Sequence, residues 1–553
     1  MNRRNFIILL LILAFFFGYT IHKKISEKID AVPSQLAYMI NHKKEISVKS
    51  FGAKGDCVLD SNGNYESGTD DTQAFIKAIK AVPAGGVLLV PPGKYYISSI
   101  NLNRGNITIS GYGATLVTSI DVSTGSNVFQ LEGDNISLIG LRLMTATPFN
   151  VDTTTKAPSS AGGLMIRLGS TTAFHSNILV RDVTTNGGFG GIDIQRSSNV
   201  RVINCHVINA IGNGINFANC PKDIWCEGNT VQNTRDDSII CVCDVSFTQG
   251  TENWIVRNNK VEKSYAKGIG SSGVSSAIIA NNNIKNTWSA GILIFQDTYY
   301  KLAKSQNVKI KGNTIIDAGK NFGPDQFKIT VSTSNDGVYV YNDTKNVEVI
   351  DNSIISPSRF GINIGNGAKA VKIGNNEILA TGSTGISIGD ANNTSYNSAL
   401  DITLTDNTII DTQGHGISIG GVNGAHITRN KVKSWLDGSR SIYIKNAQNM
   451  LVAENTSNNK ITSVWSPNHY YFAGQYIVPA TFNGHAYKCI ISGLSGSTEP
   501  SWNIAGGKNK DGGVAWFDYG KKITRGIPGT PYVDGNGSSV DVQVTTDNHS
   551  LNN

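Results

Sequence analysis

The sequence predicts an all-β protein built as a parallel β-helix, one chain wound into stacked coils. Nine copies of the pattern apolar-x-apolar-x-x-Asn-x-apolar, from WCEGNTV to VAENTS, place asparagine at 229, 259, 282, 313, 352, 376, 407, 430 and 455. Successive intervals are 30, 23, 31, 39, 24, 31, 23 and 25 residues. A second motif, Gly-Ile-x-Ile, recurs in the same units: GIDI at 191, GINF at 214, GILI at 291, GVYV at 337, GINI at 361, and GISI at 385 and 416. Two short alternating strands cannot bury an apolar face alone, whereas stacked units can. The composition agrees. Only 16% of residues are charged, too few for a long helical protein, and the 59 glycines show no period of three, which excludes a collagen. The β-branched repeats lack any helical segment, which disfavours a leucine-rich solenoid.

From the N-terminus, Met1-Asn-Arg-Arg-Asn precedes an apolar run from Phe6 to Ile21 and then His22-Lys23-Lys24. That length lies between a signal-peptide core and a spanning helix of about 17–25 residues. No small-x-small cleavage site follows, which favours a retained anchor. Residues 1–22 are read as a signal or anchor and 23–44 as a linker, with the bulk exported: anchored at an inner membrane facing the periplasm, or secreted. Residues 45–118 are expected to form a cap and the first coils, because an open solenoid end exposes strand edges. Within them, Asp70 precedes a helix whose Ala74, Phe75, Ala78, Ile79 and Val82 form one apolar face. The β-helix is expected over 119–462.

The recurring asparagine reads as a turn ladder, since Asn tolerates left-handed backbone and bonds locally. Alternate residues of each strand point inward, so Ile192 and Ile194 pack while Asp193 faces out. Beyond Asn468 the repeat stops. Residues 463–521 hold Trp465, Trp502 and Trp516 and read as a small β module. Residues 522–553, rich in Gly, Ser, Asn and Asp, read as a tail with one strand, VDVQV.

The segment VKSFGAKGDCVLD, TDDTQAFIKAIKAV, GGVLLVPPGKYYIS and ITISGYGATL resembles the start of the pectate-lyase-superfamily β-helix proteins, which include polygalacturonase-like hydrolases, polysaccharide lyases, epimerases and tailspike depolymerases. The match covers about seventy residues closely. It implies a right-handed helix and a polysaccharide partner without choosing the chemistry. Some β-helix depolymerases are trimers, and a homotrimer stays open here. The module is similar to small β modules appended to carbohydrate-active and phage tail proteins, some of them like chitin-binding domains; Trp502 is then a sugar-stacking candidate, or a residue of the module's own core.

The residue before each Gly-Ile-x-Ile serves as a ruler: Asn213, Asp237, Lys267, Ala290, Asp336, Phe360, Thr384, His415 and Arg440 in successive coils. Asp236 adjoins Asp237 in Arg235-Asp-Asp-Ser-Ile, which is similar to the paired-aspartate motif of the polygalacturonase-type hydrolases. Counting coils puts Asp193 about 9–10 Å from Asp237, near the ~6.5–9.5 Å of an inverting glycosidase. Asp236, Asp237 and Asp193 are thus the catalytic candidates for hydrolysis. Two groups depart from that family: Gly212-Asn213 replaces its Asn-Thr-Asp, and Ala266-Lys267-Gly268 replaces its Gly-His-Gly. His415, in QGHGISIG, lies six coils from Asp237, about 29 Å, and belongs to another place on the surface.

Lysine in place of histidine opens a second reading, a lyase or epimerase on uronic acids with Lys267 catalytic and Arg235 and Arg257 flanking. Asn213, Asp297, Tyr299 and Tyr300 are further binding candidates, the last three in a loop that would wall a groove. Hydrolysis implies no cofactor; a lyase would take a divalent cation such as calcium, with ligands unknown. A third reading is a glycan-binding β-helix without catalysis, in which the same charges form a solvated face.

The net charge is +7, of which +3 lies in residues 1–30. The remaining basic residues are scattered, and nucleic acid, which needs a concentrated basic face, is not an expected partner. Seven cysteines at 57, 205, 220, 226, 241, 243 and 489 show no CxxC pair, and they read as small core residues rather than a metal cluster.

Overall fold

The computed structural model describes residues 45–118, 127–146, 163–247, 249–298, 301–320, 334–395, 397–527, 531–534 and 539–550. The proposed anchor and linker, residues 1–44, lie outside them, as do Tyr299, Tyr300 and residues 321–333. The chain is a right-handed parallel β-helix. Among the described residues three parallel sheets of 16, 15 and 14 strands run along it, and a complete coil contributes one strand to each sheet. In one coil these are Lys222–Glu227, Thr230–Thr234 and Ile239–Val242. Register is held by apolar rows that stay inside, such as Val200, Ile224 and Trp254 in the first sheet. A slip of one residue would turn every such row outward.

The asparagine ladder lies inside the turn between the first and second sheets. Asn229 donates its backbone N–H and its Nδ2 to Oδ1 of Asn259, at 2.9 and 3.0 Å, and the same pair of bonds repeats coil by coil to Asn455. The left-handed residue of each turn is not the ladder asparagine but its predecessor. Gly228, Asn258, Asn281, Gly312, Asp351, Asn375, Asp406, Arg429 and Glu454 have φ between 53° and 67°. The asparagine is there because its amide can satisfy buried backbone groups along the stack.

At the N-terminal end, helix Thr72–Ala81 buries Phe75, Ala78 and Ile79 over the first coil. Asp70 accepts the N–H of Thr72 at 2.9 Å. Asp71 accepts from the amides of Lys54 and Gly55 at 2.7 and 3.0 Å, tying the preceding loop to the helix start.

The small module has antiparallel strands Tyr476–Ile477, Ala486–Ile491, Lys508–Asp511 and Val514–Gly520. Trp465, Tyr471, Tyr487 and Trp516 are its core. Both buried indole N–H groups donate to Asp511, at 2.8 and 3.0 Å. All seven cysteines are free and buried.

Residues 522–553 do not form a tail with a single strand. Tyr532–Val533, Val540–Val544 and His549–Ser550 pair in parallel with Ile442–Lys445, Gln448–Ala453 and Thr456–Asn458. Asn548 accepts from Asn455 and is a tenth ladder member. The module is therefore an insertion between the last two coils. Its return is locked by the fully buried Arg525, which donates to the carbonyls of Ser434 and Thr412 at 3.1 and 3.0 Å and stacks 3.8 Å from the Tyr476 ring centre. Deleting residues 531–553 should leave Gln448–Ala453 and Thr456–Asn458 as open parallel edges. The expected result is a lower melting temperature and aggregates in size-exclusion chromatography; an unchanged monodisperse profile would show that the final coil is dispensable.

Candidate functional site

The third sheet presents an outward row that its register defines: Arg167, Asp193, Asn216, Ile240, Gly270, Leu293, Tyr339 and Asn363. Along its leading edge runs the ruler. Asp237 stacks between Asn213 and Lys267, with Ala290 and Asp336 following: the N–H of Gly214 bonds the carbonyl of Asp237, and those of Ser238, Gly268 and Gly291 continue the series.

Asp237 is 2% exposed. Its carboxylate accepts the backbone N–H of Lys267 at 2.9 Å and its Nζ at 3.1 and 3.0 Å. The ammonium also lies 5.4 Å from the Phe295 ring centre. Burial opposes the charge on Lys267, but Asp237 and Asp236 outweigh it and hold the pKa above the usual lysine value. Asp236, half-buried, accepts the N–H of Asp237 at 3.0 Å. Its carboxyl is pushed up to about 6, first by burial and then by the charge of Asp237, with Lys267 and Arg235 working the other way. The two neighbours thus differ in kind: one carboxylate is fixed by an ammonium, and the other takes up a proton near neutrality. Beside them, Arg235 Nε, Asn213 Oδ1 and Asn216 Oδ1 are buried with no hydrogen-bond partner among the described residues.

Asp193 does not join this pair. Two coils do separate them, but Asp193 is in register with Asn216 and Ile240, three residues beyond Asp237 along the strand. Two coils and three residues put the backbones about 14 Å apart. The Asp193 carboxylate, 3% exposed, is saturated by Arg167 Nε at 2.8 Å, Gln195 Nε2 at 2.9 Å to both oxygens and Asn216 Nδ2 at 2.6 Å.

Arg257 is also absent from the site. It lies on the first sheet, paired with Glu227 at 3.0 Å and stacked 5.0 Å from Trp225, because ten residues of a three-sheet coil carry the chain to another face. Asp297 follows strand Ile292–Ile294, and its charge, after burial, raises the pKa of Tyr341. Trp502 packs 4.3 Å from Tyr487 and 6.0 Å from Trp516 and donates to Glu499 at 2.9 Å, half-buried against the module's own core.

Sequence reasoning left Asp336 and Arg359 unused. Arg359 Nε and Nη2 grip the Asp336 carboxylate at 2.7 and 2.5 Å, and the Phe360 amide and Asn363 Nδ2 add bonds of 3.1 and 3.0 Å. Asp336 stood on the ruler, and Arg359 immediately precedes Phe360 on it. The Arg167–Asp193 pair was legible too, since IRL and IDI occupy equivalent strands. His415 accepts the N–H of Arg440 at Nδ1, 2.9 Å, and stacks 4.7 Å from Tyr443. Burial lowers its pKa, so it is a neutral ring away from the aspartate pair. Among the described residues no group of three or more His, Cys, Asp or Glu converges to hold a metal ion.

A family model for the right-handed β-helix region matches residues 190–378. No curated protein shows significant sequence similarity to the chain. Among solved structures, the A-module of a mannuronan C-5 epimerase from Azotobacter vinelandii is similar at 17% identity over 70% of this chain and 95% of that one, with a TM-score of 0.44. The surface adhesin PfbA of Streptococcus pneumoniae is similar at 14% identity over 87% and 100%, TM-score 0.44. A family 28 exopolygalacturonase of Yersinia enterocolitica is similar at 10% identity over 75% of each chain, TM-score 0.38. The chain is a right-handed parallel β-helix protein whose matched region holds both the Asp236–Asp237–Lys267 cluster and the Asp336–Arg359 pair.

Proposed function

We propose that the chain is an exported or membrane-anchored glycoside hydrolase of an extracellular or capsular polysaccharide, with Asp236 as general acid and Asp237 as the ionised partner. The observation that carries the reading is the split between adjacent carboxyls, one raised to about 6 and the other held by Lys267. Asp236 gives its proton to the glycosidic oxygen as the C–O bond breaks, and Asp237 stabilises the positive charge that develops on the sugar ring. Water supplies hydroxyl to the anomeric carbon and a proton that restores Asp236. Arg235 and Asn213, each with an unpartnered buried polar atom, offer hydrogen bonds to the sugar. Elimination from a uronate would need Lys267 as a neutral base, yet its two carboxylate neighbours favour the ammonium.

The test follows reducing ends and absorbance near 235 nm together while the purified protein acts on exopolysaccharide and on a uronate panel. Reducing ends without absorbance support hydrolysis. A parallel rise in absorbance means elimination, and retention of glycan with neither signal means a binding scaffold. Lys267→Met should move the alkaline limb of the pH–rate profile upward by about 1 unit. The removed ammonium lowers the pKa of Asp236, so without it the acid stays protonated to higher pH. A limb that does not move would separate Lys267 from the acid.

A further inference from the structure

Beyond Tyr339 the outward row of the third sheet drops to small polar residues, Asn363, Ser387 and Ser418, and rises again at Tyr443. The row two residues on is equally bare, with Gly389 and Gly420 in register and Gly365 pressed against Tyr339 and Tyr341. A Cβ on Gly365 would lie 2.9–3.0 Å from those side chains. Four coil steps separate the two tyrosines, about 19 Å. The outcome is a trough that holds a cleft of about 280 Å³, walled by Tyr339, Phe360 and the Asp390–Ala391 loop.

Its chemistry is selective. Two aromatic side chains offer apolar surface, and serine hydroxyls and asparagine amides offer both donors and acceptors. No lysine or arginine is among the described residues that line it. Arg359, whose guanidinium packs 4.8 Å from the Phe360 ring centre and 5.7 Å from that of Tyr339, is committed to Asp336 through two nitrogens. Among the described lining residues Asp390 alone is charged, and it repels an anion; at the far end Lys445 faces Asp534 at 4.0 Å.

We propose that this trough is a binding subsite for neutral sugar residues, so that the chain's substrate is a glycan with a neutral stretch about three to six coils from the acid pair rather than a polyuronate. A pyranose lays its C–H face against Tyr339 or Phe360 and its hydroxyls meet Ser387 and Ser418. As a statement of substrate class this rests on the hydrolase reading, but binding in the trough does not require turnover.

The test is therefore a calorimetric titration of the full chain carrying Asp236→Asn with cellohexaose, maltohexaose, chitohexaose and hexagalacturonate. At least one neutral hexamer should bind, with affinity unchanged between low and high salt. Ser387→Trp and, separately, Ser418→Tyr fill the trough and should each weaken that binding at least tenfold, with the circular dichroism and melting temperature of the parent. Binding of hexagalacturonate alone, binding of no hexamer, or neutral binding indifferent to both substitutions would each overturn the proposal. Neutral binding lost on filling the trough, in a protein whose unsubstituted form releases no reducing ends, would retain the trough and remove the hydrolase.

Discussion

Asp236→Asn is expected to lower kcat on a natural polysaccharide by about 10³-fold, within the 10²–10⁴ range of general acid catalysis, and to leave KM nearly unchanged. The unsubstituted enzyme should lose activity above about pH 6, roughly tenfold per unit, as Asp236 gives up its proton; in the variant that limb disappears. Substrates with a good leaving group, such as nitrophenyl glycosides, need little protonation and should lose far less. Equal losses on activated and unactivated substrates would remove Asp236 from the acid role. Stability gives an independent readout. The folded pKa of about 6 lies above the ordinary 3.8, so the folded state binds more protons between those values. This group's contribution to stability then falls as pH rises from about 4 to 6. Asp236→Asn should flatten that slope and raise the melting temperature at neutral pH, an exchange of activity for stability. Asp237→Asn is a less clean probe, because it leaves Lys267 without its nearest counter-charge in a largely covered position.

The repeat made the coils, their order and the pairing of Asp237 with Lys267 legible, because a parallel solenoid converts one strand motif into a register. What stayed hidden depended on distances the motif does not encode. Arg257 looked close to the aspartates by chain separation and by charge, but two corners of the coil intervene. Asp193 was counted in coils without counting residues along the strand, and the three residues roughly equal two coils in length. The final coil is hidden by composition: Gly, Ser, Asn and Asp read as a tail with one strand, although Val544-Thr-Thr-Asp-Asn548 carries the Asp-Asn step of LTDNTI at 404–409. The asparagine ladder was recognised with half of its reason. Left-handed backbone belongs to the preceding residue, where glycine, asparagine and aspartate fill seven of the nine positions and Arg429 and Glu454 depart from that preference, while the ladder position itself does not vary from 229 to 455.

That invariance within one chain leads to the largest expected loss of stability. Asn313 is 1% exposed. Its Oδ1 accepts from the N–H and Nδ2 of Asn282 at 3.0 and 2.9 Å, and its Nδ2 donates to the carbonyl of Ile279 and to Asn352, at 2.9 and 3.0 Å. Asn313→Leu orphans the Asn282 donors and the Ile279 carbonyl in a dry interior. At about 1–3 kcal/mol per buried group it should cost on the order of 4 kcal/mol. Asn313→Asp keeps the shape and separates hydrogen bonding from packing. An ionised carboxylate accepts from Asn282 but cannot donate to Ile279, and it repels Asn352 Oδ1. A protonated one regains a donor. The aspartate variant should therefore be strongly destabilised at neutral pH and partly relieved in acid, measured as urea midpoints across pH. Because each coil touches only its neighbours, position matters as well. Asn548→Leu should speed hydrogen exchange in residues 540–550 and leave the central coils protected, whereas Asn313→Leu should open coils on both sides. If the two substitutions expose the same amides, or if Asn313→Asp shows no relief in acid, the ladder is not what couples one coil to the next.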